Sequence, residues 1–124
     1  MQRTSDLADL QQQLRQFAAE RDWERFHSPK NLAMALACEA GEVLEHFQWL
    51  SESESDSLSA EAKQAVGEEL ADVYLYLVRL ADRLSIDLPA AAQQKIDLNA
   101  KKYPVERAKG NAKKYTTFGI EGEE

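Results

Sequence analysis

The chain has 124 residues, 44% hydrophobic and 30% charged, with a formal net charge of −7, the profile of one soluble globular domain. No apolar run approaches the ~20 residues that span a bilayer, and Met1 to Asp9 lack the basic flank and apolar core of a secretory signal, so a cytoplasmic protein without a membrane partner is expected. Net negative charge disfavours a nucleic-acid polymer, whose binding rests on neutralised phosphates, and the single cysteine, Cys38, has no disulfide or zinc partner and reads as a small buried apolar residue.

Scarce Gly and Pro, with Ala, Leu, Gln, Glu and Lys throughout, favour helices. Asp6 to Arg21 carries Leu7, Leu10, Leu14, Phe17 and Ala18 at spacings of three and four, which predicts a first amphipathic helix. Ser28-Pro29 supplies an N-cap and a first-turn proline for a second helix to about Trp49. Ser51 to Ser57 alternates serine with acid, has no apolar period and reads as a polar loop. Ser59 can cap a third helix through about Leu84, with Val66, Leu70, Val73, Leu77, Leu80 and Leu84 as its apolar stripe. Asp87-Leu-Pro89 starts a fourth, which stops before Pro104. The remainder, to Glu124, reads as an extended, irregular tail. Nothing alternates as a strand would.

The predicted architecture is therefore all-α: a four-helix bundle in which the second and third helices run antiparallel. So short a chain leaves apolar helix edges uncovered, and packing across subunits in a homo-oligomer completes the bundle, a tetramer being favoured over a dimer.

Two carboxylate pairs carry the chemistry. Glu39-Ala-Gly-Glu42 and Glu69-Leu-Ala-Asp72 each place two acids three residues apart, hence on one helix face. On a wheel of ~100° per residue, Leu36, Val43 and Phe47 share an arc with Leu32. Glu39 lies in or beside it, and Glu42 lies at its margin with His46 and Trp49. Glu69 and Tyr76 border the stripe of the third helix, with Asp72 just beyond. One such pair is common on a solvated face, as Glu45, Glu52 and Glu54 are read to be. Two pairs on the apolar margins of adjacent helices are not, because an unpaired buried carboxylate is expensive. A hard divalent cation satisfies four oxygen ligands and shares itself with phosphates. The lysines and arginines crowded after the third helix, Lys95, Lys101, Lys102, Arg107, Lys109, Lys113 and Lys114, suit a small anionic ligand.

Other classes fit less well. A carboxylate di-iron bundle needs Glu-x-x-His on two helices. Here Glu42 and His46 are four apart, and the third helix has no histidine. A non-catalytic helical adaptor would leave the four acids unexplained.

The segment Arg21-Asp-Trp23-Glu-Arg-Phe-His27, then Pro29-Lys-Asn-Leu, Glu39-Ala-Gly-Glu42 and Phe47-Gln-Trp49, resembles the MazG-like all-α nucleotide pyrophosphohydrolases, in particular their dCTP pyrophosphatase branch. The likeness runs on through Glu68-Glu69-Leu-Ala-Asp72-Val-Tyr-Leu-Tyr76, Asp87-Leu-Pro89, Lys95-Ile-Asp-Leu-Asn99 and Lys102-Tyr103-Pro104, ending near Lys114-Tyr115. It implies a MazG-like domain over residues 1–115, followed by a flexible acidic tail over 116–124. It also implies Mg²⁺-dependent hydrolysis of a deoxynucleoside triphosphate, dCTP-like, to monophosphate and pyrophosphate. By match, Glu39, Glu42, Glu69 and Asp72 hold Mg²⁺ (or Mn²⁺) and serve catalysis, with Glu39 or Glu42 as the base. Trp23, Trp49, Tyr76 and Asn99 meet the nucleobase, His27 faces the nucleotide, and Lys102 and Tyr103 meet the phosphates. Two departures bear on base preference: animal members of the branch often place histidine where this chain has Leu14, and usually an apolar residue where it has His46. A phosphoribosyl-ATP pyrophosphohydrolase is the alternative on fold grounds.

Overall fold

The computed structural model describes residues 6–114 and 116. Among these the regular structure is entirely helical, as predicted. The helices are α1 (Leu7–Glu20), α2 (Pro29–Glu45), α3 (Glu52–Ser55), α4 (Ala60–Arg83), α5 (Leu88–Lys102) and α6 (Val105–Ala108), with a 3₁₀ turn at Glu24–Phe26.

The caps are local chemistry. The side chains of Asp6, Ser28, Ser59 and Asp87 each accept a backbone N–H from the residue three further on, which starts the four long helices where the sequence places them. Three boundaries differ from expectation. Regular helix in α2 ends at Glu45, and the chain to Trp49 continues in turns. The serine-acid loop contains a helical turn, α3, because Ser51 and Glu54 form a reciprocal capping box. The expected irregular tail opens with α6, behind the N-cap Pro104. The boundary at 115 and the tail over 116–124 lie, Thr116 apart, outside the described residues.

The chain divides into two compact units, one ending at Ile86 and the other starting at Asp87. In the first, α4 packs against both α2 and α1. His27, just before α2, contacts Arg79 late in α4, whereas His46, just after α2, approaches Glu69 earlier in α4. The two helices are therefore antiparallel. In the second unit, Lys101 and Lys102 occupy the last turn of α5, where cations complement the helix dipole.

The buried apolar core is small: Ala18, Leu32, Val66, Val78 and Ala81, with Arg79 buried among the polar residues. Several residues assigned to apolar stripes are open instead, including Phe17, Leu70 and Leu84. Cys38 is exposed, not buried.

Candidate metal centre and adjoining cavity

The antiparallel pairing of α2 and α4 brings both acid pairs to one point. Glu39, Glu42, Glu69 and Asp72 each offer a carboxylate oxygen, and these atoms all lie within 4.8 Å of one another. Glu39 and Glu69 are half-buried, while Glu42 and Asp72 are exposed. One oxygen on each half-buried residue, Oε2 of Glu39 and Oε2 of Glu69, is shut off from solvent with no hydrogen-bond partner. Orphaned buried acceptors are costly, and a divalent cation is the group that four converging oxygens fit.

The electrostatics agree. Glu39 is pushed up to about 7, first through its hydrogen bond with the Glu42 side chain, then by burial and the charges of Glu42, Asp72 and Glu69. Glu69 is raised in the same way, chiefly by Glu42, against a smaller opposing pull from His46. His46 Nε2 stands 3.9 Å from Glu69 Oε1. Four like charges drawn this close resist ionising together, and a bound cation removes that resistance.

Asp72 also lines a cavity of about 160 Å³ in the same unit. The Schellman-type end of α1 delivers one wall. Asp22 takes a left-handed conformation (φ 55°), and the Trp23 N–H returns to the Ala18 carbonyl at 2.9 Å. The Trp23 ring then stands edge-on to Phe17 at 5.7 Å and to His27 at 6.2 Å. Arg21 lies over Phe17, 3.5 Å from the ring centre. Tyr76 and Leu75 of α4 and Leu14 of α1 complete the apolar lining, and Arg79 supplies a cation.

Of the residues assigned to a nucleotide from sequence, Trp23, His27 and Tyr76 thus line one cavity with the metal candidate Asp72. Trp49 is not among its lining residues and is 87% exposed. Asn99, Lys102 and Tyr103 belong to the second unit, where the Asn99 carbonyl accepts the Tyr103 N–H at 2.8 Å. Phe17, which the sequence marks only as an apolar helix position, and Leu75 and Arg79, which carry no sequence assignment, also line the cavity. The signal for Arg79 was present, since it follows Glu69, Asp72 and Tyr76 at helical spacing on one arc of α4.

A MazG-like family model matches residues 34–118. The dCTP pyrophosphatase 1 of Rattus norvegicus is 48% identical over 112 residues, covering 89% of this chain and 66% of that protein. The dCTP pyrophosphatase 1 of Homo sapiens is 46% identical with the same coverage. The chain thus spans just under two thirds of the length of these relatives. Among solved structures, a pyrophosphatase from Archaeoglobus fulgidus DSM 4304 superposes with a TM-score of 0.76 at 37% identity, covering 84% of this chain and 97% of that one.

Proposed function

The chain belongs to the MazG-like family, and from that membership we propose that it is a nucleoside triphosphate pyrophosphohydrolase. Its substrate is a dCTP-like deoxynucleotide, which it cleaves to the monophosphate and pyrophosphate. The observation that carries this reading is the meeting of four carboxylates with a ring-sized aromatic cavity through Asp72. Apolar cavities of about 150 Å³ hold benzene, so a space of about 160 Å³ has room for an aromatic ring.

Glu39, Glu42, Glu69 and Asp72 are the residues that would hold Mg²⁺. The ion, when bound, supplies charge neutralisation at the transferring phosphate and the leaving pyrophosphate. The carboxylates orient the attacking water toward the α-phosphorus, and Glu39 or Glu42 takes its proton. Trp23 and Tyr76 stack against the base. Trp49, Asn99, Lys102 and Tyr103 are assigned to the nucleotide on the family resemblance alone. The exposed apolar side chains, among them Met34, Leu44, Trp49 and Leu70, support a homo-oligomer that covers them, with a tetramer preferred over a dimer. Among the described residues no helix is long and apolar enough to cross a membrane, which accords with a cytoplasmic enzyme of nucleotide-pool clean-up.

The test is to incubate the pure protein with Mg²⁺ and each deoxy- and ribonucleoside triphosphate, and to identify the first products. Pyrophosphate with dCMP from dCTP is expected. Orthophosphate as the first product from dCTP would move the protein to another reaction class.

A further inference from the structure

Arg79 Nε donates to His27 Nδ1 at 3.4 Å. A guanidinium has donors only, so Nδ1 must be the accepting nitrogen of the ring. A neutral imidazole has one accepting and one donating nitrogen, and with Nδ1 accepting, the hydrogen resides on Nε2. The neutral form is favoured because burial holds His27 below the ordinary histidine range. The charges of Arg79 and Arg83 act in the same direction, against a weaker opposing effect of Glu24.

Arg79 is itself held in place. Its side chain is 7% exposed, and its Nη1 lies 3.7 Å from Asp82 Oδ2. Asp82 in turn accepts two hydrogen bonds from Arg15 on α1. A continuous polar chain therefore runs from α1 through α4 to an imidazole that lines the cavity.

We infer that Arg79 is a positioning residue that fixes His27 as a one-way donor, offering Nε2–H to an acceptor on the edge of a bound base. The inference rests on the nucleotide reading of the cavity and deepens it. A pyrimidine 2-carbonyl or an unprotonated ring nitrogen satisfies this donor. A ring presenting its own N–H at that point sets two hydrogens against each other and is rejected, because a polar group built to pair is then left unpaired. Arg79 acts through His27 and need not touch the nucleotide.

The experiment is an ¹H–¹⁵N imidazole spectrum of the metal-free protein. The chain has two histidines, so His27→Gln assigns the His27 signal by its disappearance. The wild type should show a protonated Nε2 and a bare Nδ1, and dCMP should shift the Nε2 resonance. Arg79→Met should yield a mixture of tautomers and raise KM for dCTP about tenfold with kcat within about threefold, as loss of one charge-assisted hydrogen bond implies. Arg79→Lys, which keeps a charged donor, should recover much of both. Protonation on Nδ1 in the wild type, an unchanged tautomer in Arg79→Met, or an Nε2 resonance indifferent to dCMP would each overturn the inference. If Arg79→Met does not fold, the wild-type tautomer, the dCMP titration and Arg79→Lys decide alone. A protein with the expected tautomer and dCMP response that hydrolyses no triphosphate supports this inference and counts only against the pyrophosphohydrolase reading.

Discussion

Arg15 donates two hydrogen bonds to Asp82, from Nε at 2.7 Å and from Nη2 at 2.6 Å, and so fastens α1 to the last turns of α4. Arg15 is half exposed, but Asp82 is 11% exposed and is also the counter-ion of buried Arg79. The two partners are therefore not equivalent. Asp82→Ala strands a buried guanidinium and should cost about 3 kcal/mol, whereas Arg15→Ala, at a solvent-screened end, should cost much less. Chemical denaturation of both variants measures the difference, and equal losses would show that the Arg79 pairing contributes nothing.

The same aspartate has a pH signature. Its carboxyl is held below its ordinary value of 3.8, first by the hydrogen bond from Arg15 and then by the charges of Arg15, Arg79 and Arg83, against burial. A depressed folded value means stability that is present above the unfolded pKa and lost as pH falls through the folded one. The stability gap between wild type and Asp82→Asn should be constant above pH ~4 and shrink below it. A gap unchanged down to pH ~2 would contradict the assignment.

Glu39 gives the opposite sign. Its folded value of about 7 lies above the ordinary 4.5, so its contribution is full below the unfolded value and is lost as pH rises through 7. In EDTA the wild type should melt at a lower temperature at pH 8 than at pH 5, and Glu39→Gln should flatten that slope. Added Mg²⁺ at about 100 times its dissociation constant should restore roughly 2.7 kcal/mol at pH 8. Glu39→Gln, Glu42→Gln, Glu69→Gln and Asp72→Asn should each reduce metal-dependent turnover by more than the ~10–100-fold typical of outer-sphere partners. Wild-type rates in any two of them, with unchanged Mg²⁺ dependence, would dismantle the four-carboxylate site.

For the base pocket, Trp23→Ala and Tyr76→Ala should each raise KM for dCTP by about 5- to 150-fold, since stacking on an aromatic is worth about 1–3 kcal/mol per base. Asn99→Ala tests a different role. If its amide reads the base edge, kcat/KM for dCTP and dTTP should converge more than both decline. A uniform decline across four deoxynucleotides would instead assign Asn99 to sugar or phosphate.

Two backbone substitutions probe the subunit without touching the site. Ser85 sits at φ 55° after α4, a conformation in which only glycine is at ease. Gly67 lies inside α4, and an added Cβ there would meet nothing within 4 Å. Ser85→Gly and Gly67→Ala should each stabilise by about 0.5–1 kcal/mol. Denaturation midpoints measure both, and loss of stability in Gly67→Ala would place another copy of the chain against that stretch of helix.

What was legible in the sequence was what is decided locally. Asp6, Ser28, Ser59 and Asp87 cap helices through residues three away, so their signals are complete within one turn. The acid pairs were legible because three-residue spacing on an apolar margin has few other physical explanations. The α3 turn has no apolar period to mark it, because a Ser51–Glu54 capping box alone suffices to form it. The burial of Arg79 and the exposure of Cys38, Leu70 and Leu84 depend on which arc of each helix the neighbour takes, and periodicity within one helix does not say. The Arg15–Asp82–Arg79–His27 chain joins residues up to 67 positions apart, with no local trace of their meeting.

Helix α4 carries Glu69, Asp72, Tyr76, Arg79 and Asp82 at successive steps of three and four, so it serves as a ruler for whatever binds. At ~1.5 Å per residue, Asp72 and Arg79 are about 10 Å apart along its axis, and that spacing is set by backbone hydrogen bonds, not by adjustable loops. On the proposed reading, a ligand that reaches the carboxylates with one end and the imidazole partner of Arg79 with the other would have to match this fixed length. One residue inserted between Tyr76 and Arg79 would turn everything beyond it by ~100°. The carboxylates and the ring wall would stay in register with α2 while the Arg79–Asp82 anchor swung off the cavity, dividing one site into two unrelated halves.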